Sequence, residues 1–187
     1  MPASALAKTI RDKLNAIPPS SYSSSTPATM GSIFCTELTT YLLANCKLMG
    51  SYAGTIPGTP PVPEAAPTDA WTVVGTIAPC TPSPAGFDAW MTMIENAIRA
   101  GIMTGLGVSH PITPVPAFPG VSLATFINQD MLKSIVDGAP NDTSLQCHTT
   151  IAQGIFNALM TPGAYVPTVP AGIAGVGVFT VASVVIT

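Results

Sequence analysis

From Thr143 to Thr187 the chain carries no Asp, Glu, Lys or Arg. A surface that faces water normally mixes charges of both signs, so a run of this length has to find other cover in its own core, in a second molecule or in lipid. The shortage extends through the whole sequence, which is 8% charged where ordinary soluble domains hold about 25%. It also holds 20 prolines in 187 residues. That length suffices for one or two small cores. The composition points to one compact body with extended arms, much of whose surface is covered by neighbours.

Nine acids against six bases give a net charge of -3. There is no basic field for a phosphate backbone, so nucleic acid is not expected as a direct partner. The N-terminus, MPASALAKTIRDKL, places Lys8, Arg11, Asp12 and Lys13 where a secretory leader needs an apolar run, and a cytosolic origin is expected. Cys35, Cys46, Cys80 and Cys147 are too widely spaced for a CxxC zinc site or a small disulfide scaffold. Buried free thiols are the expectation.

Apolar periodicity predicts five helices. Leu6, Ile10, Leu14 and Ile17 form a stripe over 3–16, closed by Pro18 and Pro19. A Ser-rich linker runs to Met30. A second helix is expected over 32–49, with Phe34, Leu38, Tyr41, Leu42 and Leu48 on one side, Asn45 in the same stripe and Gly50 as the stop. Residues 51–67 carry five prolines and are expected to be polyproline-like or turns, followed by a strand over 70–77. The third helix, 87–103, turns Trp90, Ile94, Ala97, Ile98 and Ile102 inward and sets a Glu95–Arg99 pair on its other face. The fourth, 122–136, is capped by Ser122 and carries Phe126, Ile127, Met131 and Ile135. The fifth, 142–159, is capped by Asn141 or Asp142 and buries Leu145, Ala152, Ile155, Phe156 and Leu159.

A weak repeat links two of these helices. Ile94, Ile98, Ile102, Met103 and Thr104 match Ile151, Ile155, Leu159, Met160 and Thr161, and both tails run on to Val-Pro-Ala. If it is structural, the body is a set of helical hairpins with proline-rich arms on one side. The fold class expected is mainly α with minor β. It divides into an N-terminal helix and arm (1–31), a helical body (32–174) and a C-terminal apolar strand (175–187).

That last strand poses a specific problem. Val176, Val178, Ala182, Val184 and Ile186 fall on one face by simple alternation, while Phe179, Val181 and Val185 occupy the other. Both faces want cover, as in a strand at the centre of a sheet. Two readings stay open: donation of the strand to another molecule's sheet, or pairing with residues around Trp71–Ile77 beneath the helices. The candidate assembly interface on the first reading is Val176, Val178, Phe179, Val181, Val184, Val185 and Ile186.

Chemistry leaves few traces. Nucleophile elbow, Walker loop, His-Glu-x-x-His and dinucleotide fingerprint are all missing from the sequence. His148 stands beside Cys147, but adjacent helical residues point about 100° apart, so a satisfied or interfacial histidine is expected. His110 precedes Pro111 without a carboxylate nearby. Asp130, Asp137 and Asp142 lack the spacing of a calcium loop. No catalytic residue, cofactor, metal or small-molecule substrate is therefore expected.

The helix followed by Met103-Thr104-Gly105 or Met160-Thr161-Pro162, and the proline-rich tails at 111–119 and 167–170, resemble the small structural proteins of tailed bacteriophage particles. The likeness is one of style over most of the chain. It implies a non-enzymatic virion subunit of the tail or baseplate, with neck or capsid decoration as other stations, assembled in the host cytoplasm. Its partners would be copies of itself and other virion proteins. The alternative is a membrane-associated protein anchored by the uncharged C-terminus, a segment short of the roughly 20 apolar residues of a spanning helix and interrupted by Gly172, Gly175 and Gly177.

Overall fold

A computed structural model describes residues 2–56, 62–64, 70–72, 86–100, 113–116, 123–138, 140–161, 165–168 and 176–187. For 47–56, 62–64, 70–72, 99–100, 113–116, 124, 165–168 and 176–184 it describes the backbone alone. The fold is mainly α with minor β.

The first helix, α1 (Pro2–Asn15), is not set apart as an arm. Its stripe of Ala3, Leu6, Ala7 and Ile10 is buried against α6 and α2. Ile17 ends the α1 stripe as a partly buried residue, and a single 3-10 turn (Pro19–Ser21) follows. Helix α2 (Thr26–Asn45) begins earlier than the stripe alone indicates. Part of the Ser-rich linker is its lead-in: the Ser23 N–H donates to Thr26 Oγ1 at 2.8 Å, and Pro27 supplies a preset φ in the first turn.

Helix α2 also ends earlier, at Asn45, because the next residues enter a sheet. Strand β1 (Cys46–Ile56) lies at its centre. The returning chain pairs with one edge in two short pieces, β2 (Val62–Glu64) and β3 (Ala70–Thr72), in registers Ile56↔Val62 and Lys47↔Thr72. Proline density therefore did not exclude strand from 51–64, since Pro63 sits in β2, an outer strand where a missing N–H costs no central ladder. Of the strand expected over 70–77, the first three residues form β3, and the rest lie outside the described residues.

Gly86, at φ +116°, leads into α3 (Phe87–Ala100) in a backbone conformation that favours glycine. Met91, Ile94, Ala97 and Ile98 form its buried side. Glu95 departs from expectation. Instead of lying on the solvent face, it is buried and accepts the Leu123 N–H at 3.0 Å, capping the next helix.

Strand β4 (Thr113–Pro116) precedes α4 (Leu123–Phe126) and α5 (Gln129–Asp137). The single helix expected over 122–136 is thus two, because Asn128 takes an extended conformation and its side chain accepts the Met131 N–H at 2.9 Å. The break resets the helical phase and leaves Met131 43% exposed. Ser122 lies outside the described residues.

Helix α6 (Thr143–Met160) starts on Asp142, whose carboxylate accepts the Leu145 N–H at 2.9 Å. It touches α1, α4 and α5 and the last strand. Ile151, Ala152, Ile155, Phe156 and Leu159 fill the core, as do Ile94 and Ile98, their counterparts in the repeat. The two repeat tails also meet. β4 pairs antiparallel with β5 (Tyr165–Thr168), setting Pro114 opposite Pro167 and Val115 opposite Val166.

Strand β6 (Val176–Ile186) runs antiparallel along the free side of β1, from Cys46↔Ile186 to Thr55↔Val176. Among the described residues its ladder partner is β1; of the segment around Trp71–Ile77, residues 73–77 lie outside the described residues. Between Met49↔Ser183 and Gly50↔Val181 the register shifts by one residue, leaving Ala182 as a bulge. The bulge changes the alternation. Ile186, Val184, Val181 and Phe179 now share register with Cys46, Leu48, Gly50 and Tyr52, whereas Val185, Ser183, Thr180, Val178 and Val176 form the other set. Cys46 and Ile186 of the first set are buried, and Val185 of the second is 40% exposed. The apparent two-sided apolar pattern thus separates into one set rich in large apolar residues and one mixed set.

Candidate functional site

Two regions concentrate the features that could carry function: the β6 edge and a cleft among the helices.

At the edge, the last residue of the chain is tied to α2. Tyr41 Oη donates to the Thr187 backbone carbonyl at 2.9 Å, and the Thr187 N–H donates to the Asn45 carbonyl at 3.2 Å. Asn45 Nδ2 donates back to the Tyr41 carbonyl at 2.9 Å, which supplies the partner that a residue in this stripe requires. Tyr41 itself stacks on Phe156, with centroids 5.5 Å apart and planes at 19°. Because Thr187 turns its N–H toward α2 and β1, the alternation of an antiparallel strand sends the backbone groups of Ile186 and Val184 to the opposite edge. All seven candidate interface residues lie on β6. Strand β5 approaches β6, but among the described residues no ladder joins the two.

The cleft has a volume of about 320 Å³. Tyr22, Phe34 and Trp90 give it aromatic walls, Leu14 and Met30 add apolar surface, and Asn15, Ser144 and His148 are its polar lining. Phe34 and Trp90 meet edge to face, with centroids 5.5 Å apart and planes at 60°. Trp90 Nε1 is buried and has no hydrogen-bond partner among the described residues.

His148 Nδ1 lies 2.7 Å from the Ser144 carbonyl oxygen. That oxygen can only accept, so the proton is on Nδ1. Burial holds the imidazole below its ordinary pKa, and the bond to Ser144 only partly offsets it. The ring is neutral near pH 7, with Nε2 an acceptor. Cys147, its neighbour in sequence, is half-exposed, and burial raises its thiol pKa. The pair is not a thiolate–imidazolium couple on this geometry.

Two ion pairs tie α1 to the helices beside it. Arg11 of α1 pairs with Asp142 at the start of α6, and Lys13 pairs with Glu37 of α2. These contacts link α1 to both neighbours. Asp142 is thereby a helix cap and an ion-pair partner. Among the described residues, no three of His, Cys, Asp and Glu gather as a metal site, and no helix is long and apolar enough to cross a membrane.

No protein-family model, curated protein or solved structure matches this chain.

Sequence reasoning found the β6 residues through the charge-free run and its valines. It missed the cleft, whose walls come from α1, the turn after it, α2, α3 and α6. The sequence pattern turns Trp90 inward, and only its indole N–H, buried without a partner among the described residues, marks it out.

Proposed function

We propose that this chain is a non-enzymatic structural subunit of a multi-copy assembly, and that a tailed-phage virion is its setting. The observation that carries the reading is the β6 edge: eleven residues without charge, paired on one side with β1 and carrying exposed Val185 next to its end. A long apolar edge strand is a template for another chain, and monomeric proteins usually blunt it with charge, proline or a cover. The virion setting rests on the resemblance of the helix-Met-Thr and proline-rich tail pattern. The uncharged C-terminus takes the form of a strand paired within the sheet, which favours the assembly reading over a membrane anchor.

The test is solution mass by light scattering over a hundredfold dilution, without detergent, for the natural chain and for Val185→Lys. A defined oligomer, or discrete growth with concentration, is expected for the natural chain. Val185→Lys should lower the mass while the helical circular dichroism is unchanged, because a charge on an exposed edge opposes strand addition. A natural chain that stays monomeric throughout would defeat the reading.

A further inference from the structure

We propose that the cleft among α1, α2, α3 and α6 is a docking site for an uncharged proline-rich segment in polyproline II conformation, supplied by a second copy of this chain. This rests on the assembly reading and names a second contact within it. The evidence is chemical. Proline-rich segments are recognised by aromatic-lined grooves, in which prolyl rings lie against flat side chains, and Tyr22, Phe34 and Trp90 line this one. No Asp, Glu, Lys or Arg is among the described residues that line it, so against these walls a charged ligand would lose its hydration without a counter-charge.

Hydrogen bonding points the same way. Trp90 Nε1–H is a buried donor without an acceptor among the described residues, and a buried unmatched polar group costs about 1–3 kcal/mol. Polyproline II has no internal hydrogen bonds and leaves its carbonyls free to accept. The acceptor at His148 Nε2 suits the hydroxyl of an interspersed Ser or Thr.

The source is assigned from the sequence. Prolines recur at a spacing of three at Pro57/Pro60, Pro60/Pro63, Pro79/Pro82, Pro111/Pro114, Pro116/Pro119 and Pro167/Pro170, and of these Pro63, Pro114, Pro116 and Pro167 lie in β2, β4 and β5. With about three residues per turn, such pairs share one side of a polyproline II helix. The stretch Pro79-Cys80-Thr81-Pro82-Ser83-Pro84 combines that spacing with two hydroxyls and no charge. In a multi-copy assembly, such segments are present at high effective concentration, so a weak individual contact suffices.

The test follows the Trp90 indole N–H resonance of the full chain, assigned by its loss in Trp90→Phe, while a synthetic peptide of residues 77–85 is added under reducing conditions. A saturable shift with a dissociation constant on the order of 1 mM or tighter is expected, about -4 kcal/mol. A peptide with both Pro79→Ala and Pro82→Ala should bind at least tenfold more weakly. Tyr22→Ala, at a residue 54% exposed, should weaken binding with the fold intact.

Absence of a shift, or an equal shift with a proline-free peptide of the same length, overturns the docking site. Without peptide, the same resonance should move as the chain is concentrated. If it stays fixed over a hundredfold range while the peptide binds, the second-copy source is wrong. Light scattering reads the β6 edge separately, so a stable oligomer that ignores the peptide would sink this inference and leave the assembly reading standing.

Discussion

Gly154 lies so close to Ile127 that a Cβ on the glycine would stand 2.0 Å from Ile127 Cγ1 and 2.7 Å from its Cδ1. The contact seats the break between α4 and α5 directly on α6, and Ile127 is fully buried there. Gly154→Ala would ordinarily strengthen a helix by up to about 1 kcal/mol. Here overpacking should win and cost about 1–3 kcal/mol net, a fall in melting temperature of roughly 2–4 °C per kcal/mol for a chain of this size. Urea unfolding of Gly154→Ala, Ile127→Ala and the double variant checks the cause. The double variant should lose less than the sum of the single losses, whereas strict additivity would show that the two sites do not share the contact.

The buried cap from Glu95 to the Leu123 N–H makes a second prediction. Glu95→Ala leaves that donor without this acceptor and should cost about 1–3 kcal/mol. Glu95→Gln keeps an acceptor oxygen in nearly the same place and should cost clearly less. Chemical denaturation distinguishes the two, and equal losses would mean that the carboxylate's charge, not the cap, matters.

His148 should make stability fall on mild acidification. Its folded-state pKa lies below the ordinary value of 6.5 because of burial. Above that value both states are neutral, and the full stability is present. As pH drops below it, the unfolded chain takes up a proton that the native ring resists, so stability declines until the lower folded-state pKa is reached. The urea midpoint should therefore be lower at about pH 5.5 than at about pH 7.5. His148→Gln should shrink the difference, while an undiminished difference would assign it to other groups.

Thiol labelling should rank the cysteines by burial. Cys35 and Cys46 are buried, and burial pushes the Cys46 thiol up to about 12. Cys147 is half-exposed. Since the thiolate is the reactive form, iodoacetamide acting on the native chain should modify Cys147 before Cys35 or Cys46, as read by peptide mass spectrometry. Early modification of Cys46 would imply that the α2–β1 junction opens readily.

Much of the helical layout was legible because it is local. Ile94 with Ile98, and Ile155 with Leu159, recur at helical spacing and are buried where the pattern puts them. The misplacements have tertiary causes. Leu48 fits the α2 stripe, yet pairing of Cys46–Ile56 with Val176–Ile186 draws the chain into a strand before reaching it. Glu95 looks like half of an exposed ion pair until α4 brings an N–H to it. Strand propensity in such segments depends on the partner surface more than on the residues alone. The edge candidate was visible as a charge-free run, while the cleft is assembled from elements far apart in sequence and left no motif.

The bulge at Ala182 gives the terminal strand a parity as well as a composition. A regular ladder that paired Ala182 with Gly50 instead of bulging would exchange the sides of every position from Val176 to Val181, whereas removing that one alanine would close the ladder with Val181 still opposite Gly50. In the unbulged ladder Phe179 and Val181 would join the side of Val185, and the edge would meet any neighbour with its apolar surface inverted. Residue count therefore matters in this strand beside residue type: a single-codon deletion within 177–181 would move the residues before it to the opposite face, while deletion of Ala182 itself would not.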